Sequence, residues 1–144
     1  MPQLAEKSNA GMIAVDTNVV VRALAADDPA QTAAARRLFA SQPIWVAKTV
    51  LIETAWVLRS SYGYDERMTR EAVTRLLGLE NVSVESPSEI AAALALAAQG
   101  VGIADAIHLM SRPPGSPFVS FDRSLVKRAR HTGVAEVSGL AERD

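Results

Sequence analysis

Four carboxylates lie where one acidic residue interrupts an otherwise apolar stretch. Asp16 follows "MIAV", and Asp122 follows "PFVSF". Glu53 is the only charged residue in "TVLIETAWVL", and Asp105 is the only carboxylate in "VGIADAIHLM". Because like charges gathered in one cleft repel unless a cation compensates, four such acids favour a hard divalent cation such as Mg²⁺. A cation of this kind can hold a phosphate and activate water, which suits phosphodiester hydrolysis.

Each acid also has a structural explanation when it is considered alone. Asp16 and Asp122 could cap the helices that follow them, and Asp105 could cap a helix that begins late. Glu53 lies among apolar helical neighbours and could bond to a distant arginine or main-chain group, since burying it unpaired would be costly. The set of four is more informative, because a parallel sheet could bring all four elements to one edge.

The elements that must position these acids predict an α/β fold. Short runs rich in Val, Ile, Phe and Trp alternate with longer helical patterns, which is typical of βαβ units and a mainly parallel sheet. The predicted strands are residues 12–16, 44–47, 82–84, 117–121 and 134–137.

Helices are predicted to fill the gaps between these strands. The first runs from Asp16 to about Ala25. The next three helices are predicted to start at Asp28, which Pro29 follows, at Thr49 and at Asp65.

Composition limits the chemistry that is possible. A chain of 144 residues fits one domain with its own core, and no apolar run approaches the roughly 20 residues that span a bilayer. The N-terminal segment does not read as a signal peptide, so we expect a cytoplasmic protein. With no cysteine and two histidines, thiolate chemistry is excluded and a zinc cluster is disfavoured. Any metal is therefore expected among oxygen ligands.

Four motifs carry a family resemblance. In this order, "VDTNVVVRAL", "TVLIETAWVLR", "GIADAIHLM" and "SFDRSL" resemble the PIN domain, specifically the VapC ribonuclease toxins of bacterial toxin–antitoxin pairs. The likeness covers about residues 12–137 and implies a PIN-like α/β/α sandwich with a central, mainly parallel sheet of four to five strands. It further implies a single PIN domain over residues 12–144, preceded by a flexible extension over residues 1–11.

The resemblance also implies an activity and partners. These are Mg²⁺- or Mn²⁺-dependent endoribonuclease action on structured RNA (tRNA or rRNA), a homodimer, and neutralisation by a VapB-type antitoxin. The implied catalytic acids are Asp16, Glu53, Asp105 and Asp122. Asp16 and Asp105 are expected to bind metal directly, and the other two through water or as supports. The expected supporting residues are Thr17, Asn18 and Ser120. For Asn18 the alternative is a purely structural role at the start of the helix. Many relatives carry another acid at the position of Gly102. The resemblance therefore leaves open whether this site binds a second metal ion.

Two surfaces are candidates for partners. The segment "SFDRSLVKRARH" has a local excess of positive charge, and Arg123, Lys127 and Arg128 are the expected RNA-binding residues. A solvated helix face is the alternative for this cluster, and Arg36 and Arg37 are weaker RNA-binding candidates. Trp56, Met68 and Leu76 could contact the antitoxin or, alternatively, pack in the core.

Other functions remain as alternatives. A receiver-like domain would need paired acids after the first strand, and a dehalogenase-type phosphatase would need a second aspartate where Asn18 stands. A noncatalytic PIN-fold interaction module is the third alternative. Stabilisation by Mn²⁺ would distinguish an intact acidic site from such a module.

Overall fold

The computed structural model describes residues 11–143, and the chain divides into two compact units between Glu85 and Ser86. Residues 1–10 of the expected N-terminal extension lie outside the described residues. A single domain over residues 12–144 stays a prediction.

The first unit contains a three-stranded parallel sheet in the order β1-β2-β3. Its strands are β1 (Ile13–Ala14), β2 (Ile44–Val46) and β3 (Val82–Val84). Its helices are α1 (Thr17–Leu24), α2 (Pro29–Ser41), α3 (Lys48–Tyr62) and α4 (Glu66–Leu77). Ile44 pairs with Ile13 on one side and Val82 on the other, so β2 is the central strand, and its Ile44 and Val46 side chains are buried. This agrees with the apolar character expected for a central parallel strand.

Local signals placed two of the three predicted helix starts in this unit correctly. The Asp28 side chain caps α2 with Pro29 at the first position, and Asp65 caps α4. The predicted Thr49 cap is wrong, because α3 begins at Lys48 without a side-chain cap from its own N-terminal segment. The Lys48 N–H instead donates to Glu85 Oε1 at 2.9 Å. An acceptor distant in sequence thus satisfies a free donor of this helix end.

The second unit contains a two-stranded parallel sheet of β4 (Phe118–Ser120) and β5 (Val137–Gly139). Its helices are α5 (Pro87–Ala98), α6 (Ile103–Met110) and α7 (Arg123–His131), followed by a 3₁₀ turn at Leu140–Arg143. Helices α5 and α6 pack together.

The predicted α/β class is confirmed, and all five predicted strands exist and pair in parallel. Their hydrogen bonds divide them into sheets of three and two strands rather than forming one sheet. Strand β5 also begins later than predicted, because the Val134 N–H bonds to the Ala129 carbonyl at the end of α7. Glu136 then adopts a positive φ of 58° immediately before the strand. Across residues 11–143, no helix combines the length and apolar character needed to cross a membrane.

Candidate active site

Asp16 forms the turn between β1 and α1. It lies two residues after β1 and is the N-cap of α1, where its Oδ1 accepts a hydrogen bond from the Val19 N–H at 3.1 Å. The capping explanation is therefore observed. The side chain is exposed, and within the described part of the chain its Oδ2 receives no hydrogen bond. One oxygen can cap the helix while the other remains accessible to a ligand.

Glu53 lies on the exposed face of α3. The opposite face carries the buried side chains Leu51, Ala55 and Leu58, so the carboxylate is not embedded among its apolar sequence neighbours. The expectation that burial would force it to find a partner is therefore wrong. Its Oε2 nevertheless accepts a hydrogen bond from Thr17 Oγ1 at 3.3 Å. Since Thr17 directly follows Asp16, this bond brings Glu53 to the start of α1.

Asn18 lies at the second position of α1 and is exposed. Its helix-start explanation agrees with this position. It lines a cavity of about 280 Å³ together with Arg22 and with Gln31 of α2. Among the described residues no hydrogen bond links Asn18 to a candidate acid.

Asp105 lies in the first turn of α6 and is partly buried. The helix begins at Ile103 with Gly102 as its N-cap and no side-chain cap, so the capping explanation for Asp105 is wrong. Burial raises the pKa of Asp105, and the negative charge of Asp122 raises it further. The charges of His108 and Arg128 act in the opposite direction. The ionised form of this acid is therefore disfavoured by its surroundings.

Asp122 repeats the arrangement of Asp16 in the second unit. It lies two residues after β4 and caps α7, with its Oδ1 accepting from the Leu125 N–H at 3.1 Å. Its own N–H donates to Ser120 Oγ at 3.0 Å. Ser120 thus holds the main chain of this turn rather than a carboxylate. The negative charge of Asp122 is the second cause, after burial, of the raised pKa of Asp105.

The predicted RNA-binding residues Arg123, Lys127 and Arg128 are all exposed on α7. Arg128 also lowers the pKa of Asp105 by its positive charge. The weaker candidate Arg36 has a structural use, because its Nε donates to the Ala23 carbonyl at 3.1 Å.

The acids fit Mg²⁺ or Mn²⁺ in their donor chemistry. Hard carboxylate oxygens suit these cations, and Mg²⁺ commonly keeps several waters while binding one or two carboxylates. Repulsion between Asp105 and Asp122 is of the kind that a bound cation relieves. Within residues 11–143, however, no group of three or more His, Cys, Asp or Glu side chains forms a ready metal cluster.

Phe121, to which the sequence assigned no role, lies at the surface. Its side chain is 82% exposed, the highest value among the large apolar side chains that the structure describes. The available signal was an aromatic residue directly before the acid in "SFDRS". Of the apolar residues proposed for a partner surface, Trp56 and Met68 are exposed, whereas Leu76 is buried and belongs to the core.

Comparison with protein families identifies this arrangement. The PIN domain family matches residues 13–131, a range that includes all four acids. The predicted PIN-like α/β/α fold is thereby confirmed. PIN domains are generally nucleases and typically use divalent metals. No curated protein matches the chain significantly.

Proposed function

The chain belongs to the PIN domain family, and we propose that it is a metal-dependent endoribonuclease of the VapC toxin type that cleaves structured RNA, either tRNA or rRNA. The family match carries this proposal, because it spans the motifs of Asp16, Glu53, Asp105 and Asp122. The hydrogen bond at Glu53 and the charge interaction at Asp105 give each unit a pair of neighbouring acids in support.

Asp16 and Asp105 are the proposed direct ligands of Mg²⁺ or Mn²⁺, with Glu53 and Asp122 acting through water or as supports. When bound, such a cation polarises a phosphodiester and lowers the pKa of a water molecule. Asp16 is suited to the task because helix capping occupies only its Oδ1. Thr17 holds Glu53 at the same turn, which restricts the orientation of that carboxylate.

Hydrolysis by water does not use the ribose 2′-hydroxyl. The expected products are therefore 5′-phosphate and 3′-hydroxyl ends. Arg123, Lys127 and Arg128 are the proposed backbone contacts, which position RNA without reading its sequence. Their exposure on one helix supports this assignment.

We further propose that the protein acts in the cytoplasm as a homodimer and is neutralised by a VapB-type antitoxin. Exposed apolar surface on two packed helices supports a protein partner: Trp56 on α3 is 68% exposed and Met68 on α4 is 45% exposed. Large exposed apolar side chains of this kind often mark protein interfaces.

A noncatalytic interaction module is the second candidate. It is favoured by the exposed apolar side chains of Trp56 and Met68, which a protein partner could cover. Thermal melting with Mn²⁺ separates the two functions, because a ligand that binds only the folded state raises Tm. We expect Mn²⁺ to stabilise the wild type and to have little effect on Asp105→Asn.

The decisive experiment is cleavage of total tRNA and rRNA by the purified, antitoxin-free protein with Mg²⁺, Mn²⁺ or EDTA. Asp16→Asn and Asp105→Asn are the test variants, and Asp28→Asn is the matched control. We expect metal-dependent cleavage that both test variants lose and the control retains. End-group analysis should give 5′-phosphates, and 2′,3′-cyclic phosphates would contradict the mechanism. Absence of both cleavage and metal binding would favour the noncatalytic module.

A further inference from the structure

A cavity of about 590 Å³ lies at the start of α7, and its lining includes the residues directly before and after the candidate acid Asp122. It is lined by residues from the end of β4 and the turn after it, from α7, and from the end of β5 and the segment that follows. Phe121 and Leu140 contribute exposed apolar groups to its wall. The cavity therefore combines an exposed aromatic ring with an opening to solvent.

The charge of this cavity is uniformly positive. Arg123, Lys127 and Arg130 line it, and none of its described lining residues is acidic. Arg130 is held in place, since its Nε donates to the Val137 carbonyl at 2.8 Å. Arg128 is not among the lining residues, which separates its charge effect on Asp105 from this cavity. Cations arranged in this way complement phosphate groups.

Aromatic rings beside a positively charged groove are the arrangement that proteins use for unpaired nucleotides. Every base has a flat π face that can stack on phenylalanine, and bases inside a duplex are not available for this contact. The Phe121 ring is 82% exposed and is adjacent in sequence to Asp122. The chain on both sides of Asp122 therefore lines the cavity, through Phe121 and Arg123.

We propose that Phe121 stacks on an unpaired base of the RNA substrate while Arg123 and Lys127 bind the neighbouring phosphates. This assignment rests on the proposed ribonuclease function and adds a selection for unpaired nucleotides. It makes the cavity a nucleotide-binding subsite, so cleavage is expected in loops or single-stranded segments rather than within duplexes.

Binding is measured in EDTA, so that cleavage does not interfere, by fluorescence anisotropy of a short labelled single-stranded RNA and of the duplex of the same sequence. Phe121→Ala should weaken single-strand binding about 5- to 150-fold, the range for loss of one base–aromatic stack. Duplex binding should change little, and Phe121→Tyr should keep single-strand affinity. Leu79→Ala, which removes another large exposed apolar side chain, is the control and should bind as the wild type.

The phosphate contacts are tested by salt dependence. Arg123→Gln and Lys127→Gln should each lower the slope of log K against log salt by about 0.7 for single-stranded RNA. Arg75→Gln, at an exposed arginine on α4, is the control and should leave the slope unchanged.

Four outcomes would overturn the proposal. Unchanged single-strand affinity in Phe121→Ala would remove the stacking role alone, and an equal loss for duplex would remove the preference for unpaired bases. Unchanged RNA binding together with loss of poly-glutamate binding in Phe121→Ala would assign the cavity to an acidic protein segment. If the wild type bound neither RNA, the proposed ribonuclease function itself would fail. This outcome differs from a failure of the stacking proposal alone, in which the wild type still binds RNA.

Discussion

Substitution of Asp16 can separate its structural role from its proposed catalytic role. Its Oδ1 accepts the Val19 N–H at 3.1 Å, so Asp16→Ala removes a helix cap. Such a loss typically costs about 1 kcal/mol. At roughly 2–4 °C per kcal/mol for a chain of this size, Tm should fall by about 2–4 °C. Asp16→Asn keeps an N-cap acceptor and should melt close to the wild type.

The cleavage rates of the Asp16 variants should not follow the order of their stabilities. Substitution of an outer partner of a metal ligand already costs about 10- to 100-fold, so loss of a direct ligand should reduce the rate by at least about 100-fold. Asparagine lacks the negative charge, and we therefore expect Asp16→Asn and Asp16→Ala to be equally impaired. Initial rates on a fluorescent RNA, measured well below Tm, provide the activity, and differential scanning calorimetry provides the stability.

Asp28 is the matched control, because its Oδ1 accepts the Gln31 N–H at the same distance of 3.1 Å and caps α2. Asp28→Ala should lower Tm by a similar amount without changing the rate of cleavage. A well-folded Asp16→Asn that cleaves RNA at the wild-type rate would refute the metal-ligand role. Asp16 would then be a cap and nothing more.

Two further predictions concern the pH dependence of stability. The folded-state pKa of Asp105 is raised above its ordinary 3.8 by burial and by Asp122, so its ionisation disfavours folding as pH rises through this window. In EDTA, Asp105→Asn should therefore have a higher Tm than the wild type at pH 7 and the same Tm at pH 3. A difference in Tm that does not change with pH would contradict this prediction. The Tyr62 hydroxyl donates to Asp27 at 2.8 Å and lowers the pKa of that carboxyl below 3.8. This stabilisation is present above pH 3.8 and is lost as pH falls through the lowered pKa. Tyr62→Phe should therefore be less stable than the wild type at pH 7 and should lose less stability on acidification. Curves of Tm against pH that run parallel for the two proteins would contradict this prediction.

Helix caps were predictable because they depend on a few neighbouring residues. The caps at Asp16, Asp28, Asp65 and Asp122 all use the N–H three residues later, a contact that the local sequence contains in full. Thr49 failed because the acceptor at the start of α3 comes from Glu85, which is distant in sequence. The alternation of strands and helices was likewise readable, whereas the division of strands between two sheets depends on pairing over long separations.

Exposure on an apolar helix was the least predictable property. Apolar residues surround Glu53 in sequence, and the pattern alone does not say which of them turn inward. The structure buries Leu51, Ala55 and Leu58, and leaves Glu53 and Trp56 at the surface. The exposure of Phe121 was not predictable for the same reason, because the pattern of the predicted strand 117–121 does not say which of its side chains turn inward.

Capping alone does not distinguish the candidate site from the rest of the chain, because aspartate also caps α2 and α4. The neighbouring acids do distinguish it. Beside the cap of α2, Asp27 pairs with Arg22 at 2.6 Å, and beside the cap of α4, Glu66 pairs with Arg59.

The acids that accompany the caps of α1 and α7 are Glu53 and Asp105. Within the described residues neither forms an ion pair, and a threonine hydroxyl is the only hydrogen-bond donor to Glu53. For Asp105, burial and the charge of Asp122 remain the leading influences on its pKa. At the ordinary caps an arginine forms an ion pair with the second carboxylate, whereas among the described residues Glu53 has no ion pair and Asp105 feels the charge of Arg128 without pairing with it. A divalent cation would provide these two acids with the direct cationic partner that an arginine provides at the ordinary caps.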